Sequence, residues 1–186
     1  SGGTSGNFDY RLSLAARKDH GFRRRYDNKD LAQINFRGDY QATNNDTVTI
    51  TASHNSGDYQ EDSSDGLNKA MPEHTRRVKY STFQTKWIHN FSENNSFAFH
   101  YYRQNYTDHN SYIGDYNADG YGYVPIDEGH KSQRENLEVS YSTYSDRYSL
   151  NLGALYRKDN SVAAQFLYNV DKDIETRQAF LIQHFI

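Results

Sequence analysis

A two-residue alternation of apolar and polar side chains over Leu31–His54 constrains this chain more than any other feature. Ile34, Phe36, Gly38, Tyr40 and Ala42 share one parity, and Gln33, Asn35, Arg37, Asp39 and Gln41 the other. After Thr43–Asp46 the alternation resumes, with Val48, Ile50 and Ala52 against Thr47, Thr49, Thr51 and Ser53. Successive strand side chains point to opposite faces, so this is a hairpin of a sheet with one greasy and one wet side. Asn44, Asn45 and Asp46 supply the local turn chemistry a short hairpin needs.

The pattern recurs. Strands are expected at Phe8–Arg17, in the hairpin as far as Tyr59, and at Val78–Phe91, where Phe83, Thr85, Trp87, His89 and Phe91 share a parity. Others start at Phe97 and Leu137, span Tyr148–Arg157 and Val162–Val170, and end with Ile174–Phe185, about nine in all. Ser1–Gly6 reads as a linker, and 60–77 and 107–132 as long loops. Short turns are expected at 43–46, 92–95, 145–147 and Lys158–Ser161.

Composition separates this pattern from disorder. Hydrophobic residues are only 35% and mean hydropathy is -1.03, yet there are 17 Tyr, 10 Phe and only 2 Pro. Disordered chains run poor in aromatics and rich in Pro. A net charge of -3 with interspersed signs gives no basic patch for nucleic acid. The chain lacks Cys, which excludes disulfides and thiolate metal sites.

Long and short connections alternate along the chain, and antiparallel neighbours place alternate connections at opposite ends. One end of the sheet therefore carries the long loops. Aromatics flank the short turns: Tyr40, Phe91, Phe97, Tyr144 and Tyr148. Transmembrane barrels show this layout, with short turns at one end and aromatic girdles at the interfaces. The fold expected is all-β, an antiparallel transmembrane β-barrel meander, partial and open. Leu12, Leu14, Ile34, Phe36, Ile50, Leu150 and Leu152 should face lipid. Arg11, Arg37, Asp39, Thr49 and Asn151 should face the lumen. The alternatives are a small self-contained barrel acting as an adhesin or enzyme, and a soluble β-rich binding module.

The first strand NFDYRLSLAARKD after a Gly/Ser linker, the pair LAQINFRGDYQATNNDTVTITASH and the segment RRVKYSTFQTKWIHNFSENNSFAFHYYRQ resemble the barrel portion of TonB-dependent outer-membrane receptors of Gram-negative bacteria. The resemblance implies a missing upstream plug domain before Ser1–Gly6, with residues 7–186 as early strands of a 22-stranded barrel. It implies energised uptake of a scarce ligand such as an iron chelate, cobalamin or a glycan. Its implied partners are outer-membrane lipid and lipopolysaccharide, the plug, and TonB. The short Lys158–Ser161 connection and the terminal Ile186 depart from the family pattern.

The loops hold the candidate sites. Asp115, Asn117, Asp119 and the Tyr121 carbonyl match the first half of a Ca²⁺ loop, D-x-N-x-D-G. The twelfth position is Ile126, so Asp127 or Glu128 would have to close the shell. The bland alternative is an Asp/Asn/Gly surface loop. Arg23, Arg24 and Arg25, with Arg17, Lys18, Arg76, Arg77 and Lys79, could meet phosphates or an anionic ligand. Tyr112, Tyr116, Tyr121 and Tyr123 could form an aromatic ligand patch, or simply pack the loop. With neither a nucleophile elbow nor a zinc-helix His pair, no catalytic residue is expected.

Overall fold

A computed structural model describes residues 1–22, 25–61, 71–117 and 120–162 and the backbone of 173–185. Its strands are β1 Gly2–Ser5, β2 Phe8–Asp19, β3 Lys29–Gln41, β4 Asp46–Glu61, β5 His74–Ser92 and β6 Asn95–His109. They continue with β7 Ser111–Tyr116, β8 Gly122–Asp127, β9 His130–Tyr144, β10 Ser149–Val162 and β11 Asp173–Phe185. Nine form one antiparallel sheet in the order β1-β2-β3-β4-β5-β6-β9-β10-β11, and β7-β8 is a separate hairpin. Among the described residues the sheet is an open meander with β1 and β11 at its edges.

The strand pattern holds, with four corrections. Gly2–Ser5, read as linker, pairs with Phe8–Arg11 as an edge strand, because Gly6 at φ 59 turns the chain back. The loop expected at 107–132 contains β7-β8, where Tyr112, Gly114 and Tyr116 pair with Ile126, Val124 and Gly122. Lys158–Ser161 is not a turn but the end of β10, paired residue by residue with Glu135–Ser132. Asp-Asn-Ser supplies turn formers there, and the continuous ladder overrides them. The 60–77 loop gives up Gln60, Glu61 and His74–Arg77 to strands that pair with each other. The strand expected at Val162–Val170 lies outside the described residues except Val162, which ends β10.

The two faces separate as the alternation requires. Tyr10, Gly38, Ile50, Thr85, Tyr101, Leu137 and Tyr156 form one continuous cross-strand row. One residue along, Arg11, Arg37, Thr51, Gln84, Tyr102, Asn136 and Arg157 form a polar row on the opposite face. Each strand of the nine-stranded sheet packs chiefly on its sheet neighbours, so those nine make a single layer, with only the β7-β8 hairpin set over its polar face. None of the described large side chains is fully buried, and Leu14 is 70% exposed. A sandwich would need a second layer on this face.

The apolar band runs obliquely across its face. On β2 the first charged residue beyond the band is Lys18; on β10 it is Lys158, which shares a row with Leu12. The upper edge thus falls six residues over six strand-to-strand steps. At roughly 3.3 Å per residue and 4.8 Å per strand, that is a slope of about 35°. The lower edge falls from Phe8 on β2 to Leu150 on β10, four residues or about 25°. Near that edge aromatic rings form a chain: Trp87–Phe97 at 5.8 Å, His89–Phe91 at 4.5 Å and Phe91–Tyr141 at 6.4 Å. The Trp87 indole donates to Asp46 at 2.9 Å, where β4 begins.

Candidate functional site

The densest polar cluster lies at the long-loop end of the polar face, beneath the β7-β8 hairpin. The extensions of β4 and β5 build its floor, since Glu61 pairs with His74 and Tyr59 with Arg76. β6 contributes Tyr106 and Asp108, and the link to β7 contributes Asn110. Asp108 and Asn110 are each only 7% exposed, against the open character of the rest of the sheet.

Arg76 organises the floor. Its Nε donates to Asp108 Oδ1 at 2.9 Å, one terminal nitrogen donates to Asp108 Oδ2, and the other reaches Glu61 at 3.4 Å. The Tyr106 hydroxyl also donates to Asp108, at 3.2 Å. A guanidinium fork on a carboxylate is a directional, charge-assisted pair, so it fixes β5 against β6 here. Burial, then the Asp108 charge, raises the pKa of the Tyr106 hydroxyl.

His74 links floor to hairpin. Its side chain is 7% exposed. Nδ1 donates to the Pro72 carbonyl at 2.9 Å, and Nε2 lies 2.8 Å from Asn110 Oδ1. The Asn110 amide nitrogen donates to Glu128 at 3.2 Å, which fixes which end of the amide faces His74. Both ring nitrogens therefore face oxygen acceptors. Glu61 stands 3.7 Å from Nε2.

The hairpin closes over this floor. The Tyr112 ring lies 4.6 Å from the His74 ring, and its hydroxyl donates to Glu128 at 3.3 Å. Burial first, then the neighbouring Glu128 charge, pushes the Tyr112 hydroxyl up to about 12. A backbone bond from Glu128 N to the Asn110 carbonyl, 2.8 Å, closes the base of the hairpin. No member of the cluster has the geometry of an activated nucleophile; what the cluster does is hold the hairpin down on the polar face.

Only part of the expected sites assembles. Tyr112 and Tyr116 are half-buried on the inner face, while Tyr121 and Tyr123 are 78% and 72% exposed. The four tyrosines do not form one patch: Tyr123 pairs with Asp115 and so lies on the side opposite Tyr112 and Tyr116, and Tyr121 stands in the turn before β8. Arg25 is exposed, and Arg23 and Arg24 lie outside the described residues. Several of the other cations are already paired: Arg17 with Asp19 at 3.5 Å, Lys18 with Asp30 at 3.6 Å, and Arg77 with Asp58 at 2.8 Å.

The calcium reading fares differently at its two ends. Asp115 Oδ1 accepts from Asn117 N at 3.0 Å and from the Asn117 amide at 2.6 Å, a self-contained turn. Asp119 lies outside the described residues. Asp127 pairs across the hairpin with Ser111, four residues from Asp115 along β7. That is roughly 13 Å, too far for two ligands of one ion. Asp127 instead accepts from Gly129 N at 2.9 Å, and Glu128 is held by Asn110 and Tyr112. Neither closing acid joins Asp115.

The buried cluster escaped sequence reasoning because its members are spread over 68 positions, from Glu61 to Glu128. The one local signal was Tyr106, Asp108, Asn110 and Tyr112 sharing a parity.

No family profile matches the chain, and no curated protein matches it. Among solved structures, the toluene transporter TbuX of Ralstonia pickettii is similar at TM-score 0.41 and 10% identity. The match takes in 98% of this chain and spans 63% of the length of that one.

Proposed function

We propose that this chain is a length of wall from an outer-membrane β-barrel, the early strands of a TonB-dependent receptor that takes up a scarce ligand. The observation that carries the reading is the oblique apolar band. A membrane is a flat slab, and barrel strands cross it at about 35–45°. In the frame of the strands such a slab is a band that slips steadily from strand to strand. The band here slips by about 25–35° and is flanked at the short-turn end by aromatic rings. Strands of 12 to 19 residues exceed the 9–11 or so needed for a crossing, leaving extensions beyond the slab at the long-loop end. An apolar face without a covering layer is supported by lipid, and the polar face becomes the lumen wall. The open edges are completed by further strands, since lipid cannot satisfy bare backbone groups.

The hairpin supports the transport part of the reading. Held on the polar face at the long-loop end, it stands at the mouth of the lumen with Tyr121 and Tyr123 free to meet a ligand. Iron chelates, cobalamin and glycans remain the substrate classes, and the partners are the plug domain, TonB and lipopolysaccharide.

The test is uptake by Gram-negative cells expressing the full-length protein, with and without functional TonB. Labelled ferric chelate, cobalamin and oligosaccharide are supplied in turn. TonB-dependent accumulation of one of them is expected. Failure to fractionate with the outer membrane, or equal uptake without TonB, overturns the proposal.

A further inference from the structure

We infer that the polar face carries a binding recess for an uncharged aromatic group, on β2–β5 beside the hairpin. The inference rests on the transport reading above and adds the chemical class of one part of the ligand. Leu31, Gly57 and Val78 are direct cross-strand partners and make an apolar run. They share their parity with Arg37, Thr51 and Gln84, so the run lies on the polar face. That is an exception there. Four residues nearer the short turns, the row reads Ser13, Asn35, Ser53, Thr82, Gln104 and Arg134.

Gly57 shapes the floor. It is buried, and a Cβ on it would stand 2.7 Å from the Tyr59 ring and 2.8 Å from Leu31 Cδ2. The missing side chain lets that ring and that methyl group lie over the β4 backbone. The space left is a recess of about 460 Å³, lined also by Tyr80, Gln33 and Asn55. Small-molecule pockets run from about 300 to 1,000 Å³, and a cavity of about 150 Å³ already takes benzene. The recess therefore admits a group of two rings.

Its chemistry selects the class. The charges at the two ends of the floor row are already compensated: Arg17 pairs with Asp19 at 3.5 Å, and Asp108 is held by Arg76. An anion entering here finds only Arg17, which is committed. The side-chain amides of Gln33 and Asn55 make no hydrogen bond among the described residues, so each offers donors and an acceptor. Tyr59 and Tyr80 favour a second ring in offset or edge-on contact, beyond what area alone gives. Leu31 and Val78 are half-buried and gain from being covered. A ligand that lays an aryl group on this floor and turns a neutral hydrogen-bonding group to the two amides uses every one of these features.

The test is photolabelling of the full-length protein, reconstituted in phosphatidylcholine vesicles, with 4-benzoylbenzamide, a two-ring neutral amide. Adducts are mapped by peptide mass spectrometry. They are expected at Leu31, Tyr59 and Val78, reduced at least fivefold by excess 2-naphthamide and less than twofold by excess cyclohexanecarboxamide. Probe dissolved in the bilayer should label lipid-facing Leu14 and Ile34 whatever the competitor, which reports insertion independently. Leu31→Gln/Val78→Gln should lose the Tyr59 adduct and keep those at Leu14 and Ile34. Gly57→Ala, which displaces the Tyr59 ring, should cut labelling of Val78 at least threefold. Recess adducts that are missing, survive naphthamide, fall equally with cyclohexanecarboxamide or persist in both variants overturn the site and leave the barrel reading standing. Missing adducts at Leu14 and Ile34 overturn both.

Discussion

Ile50 and Thr49 are neighbours on β4 that should respond oppositely to the same substitution. Ile50 lies between Val48 and Ala52 in the middle of the band, 37% exposed, with Gly38 and Thr85 as cross-strand partners. Thr49 faces the polar side, where its hydroxyl donates to Asp39 at 2.7 Å and Lys86 stands across from it. Arginine on the lipid face of a barrel at the midplane costs about 2–4 kcal/mol. At about 1.4 kcal/mol per decade, Ile50→Arg should lower the folding equilibrium in lipid roughly 30- to 700-fold. Thr49→Arg loses one hydrogen bond of about 1 kcal/mol and sets a solvated cation beside Asp39 but opposite Lys86, so its net cost should stay below about 2 kcal/mol. Urea titrations in phosphatidylcholine vesicles, followed by gel mobility of unheated samples, measure both. Equal penalties would refute the face assignment. So would a neutral Ile50→Arg, which is what a water-exposed face tolerates.

Three further outcomes follow from particular contacts. The Tyr112 hydroxyl is raised to about 12 in the folded state, from the ordinary phenol value near 10. The unfolded hairpin therefore releases this proton first, and hairpin stability is intact below about pH 10 and falls as pH climbs toward 12; protease sensitivity within 111–127 should rise over that window and not in Tyr112→Phe. Asp108→Ala leaves Arg76 facing only Glu61 and should destabilise the β5–β6 extension by about 1–3 kcal/mol, discounted for the partial exposure of Arg76, as read by amide exchange at Arg76–Lys79. A Cβ on Gly38 would stand 2.8 Å from the Phe8 ring, so Gly38→Ala should displace that ring and cost about 1 kcal/mol, while Gly6→Ala is penalised through its positive φ instead.

How much the sequence reveals depends on the distance over which the signal acts. Alternation is local, and it gave the parity of Leu12, Phe36, Phe83 and Leu150 correctly, since register in a half-buried sheet follows the pattern. The same rule should have flagged β7-β8, where Tyr112, Gly114 and Tyr116 alternate with Ile113 and Asp115. The Gly and Asp there suggested a loop, yet they occupy ladder positions. Lys158–Ser161 misled for the converse reason: turn-forming residues were held extended by β9. Gly2–Ser5 carries no pattern at all and is recruited by the turn at Gly6 and the ladder to β2. The His74–Asn110–Glu128 latch depends on pairings between strands far apart in the chain, which parity alone does not specify. The slip of the band was implicit in the sequence but needed the register to convert it into an angle.

Nitroxide scanning of β2, β5 and β10 in bilayers tests the central claim most directly. Every position from Phe8 to Lys18, Lys79 to Phe91 and Leu150 to Lys158 is labelled in turn, and collision rates with oxygen and with a water-soluble nickel chelate are compared. The account predicts oxygen contact at every second residue, silence toward nickel in the band, and a depth maximum that moves toward the short-turn end from β2 to β10. Nickel access at Leu14, Phe83 and Leu152, or depth maxima in one cross-strand row on all three strands, would contradict it.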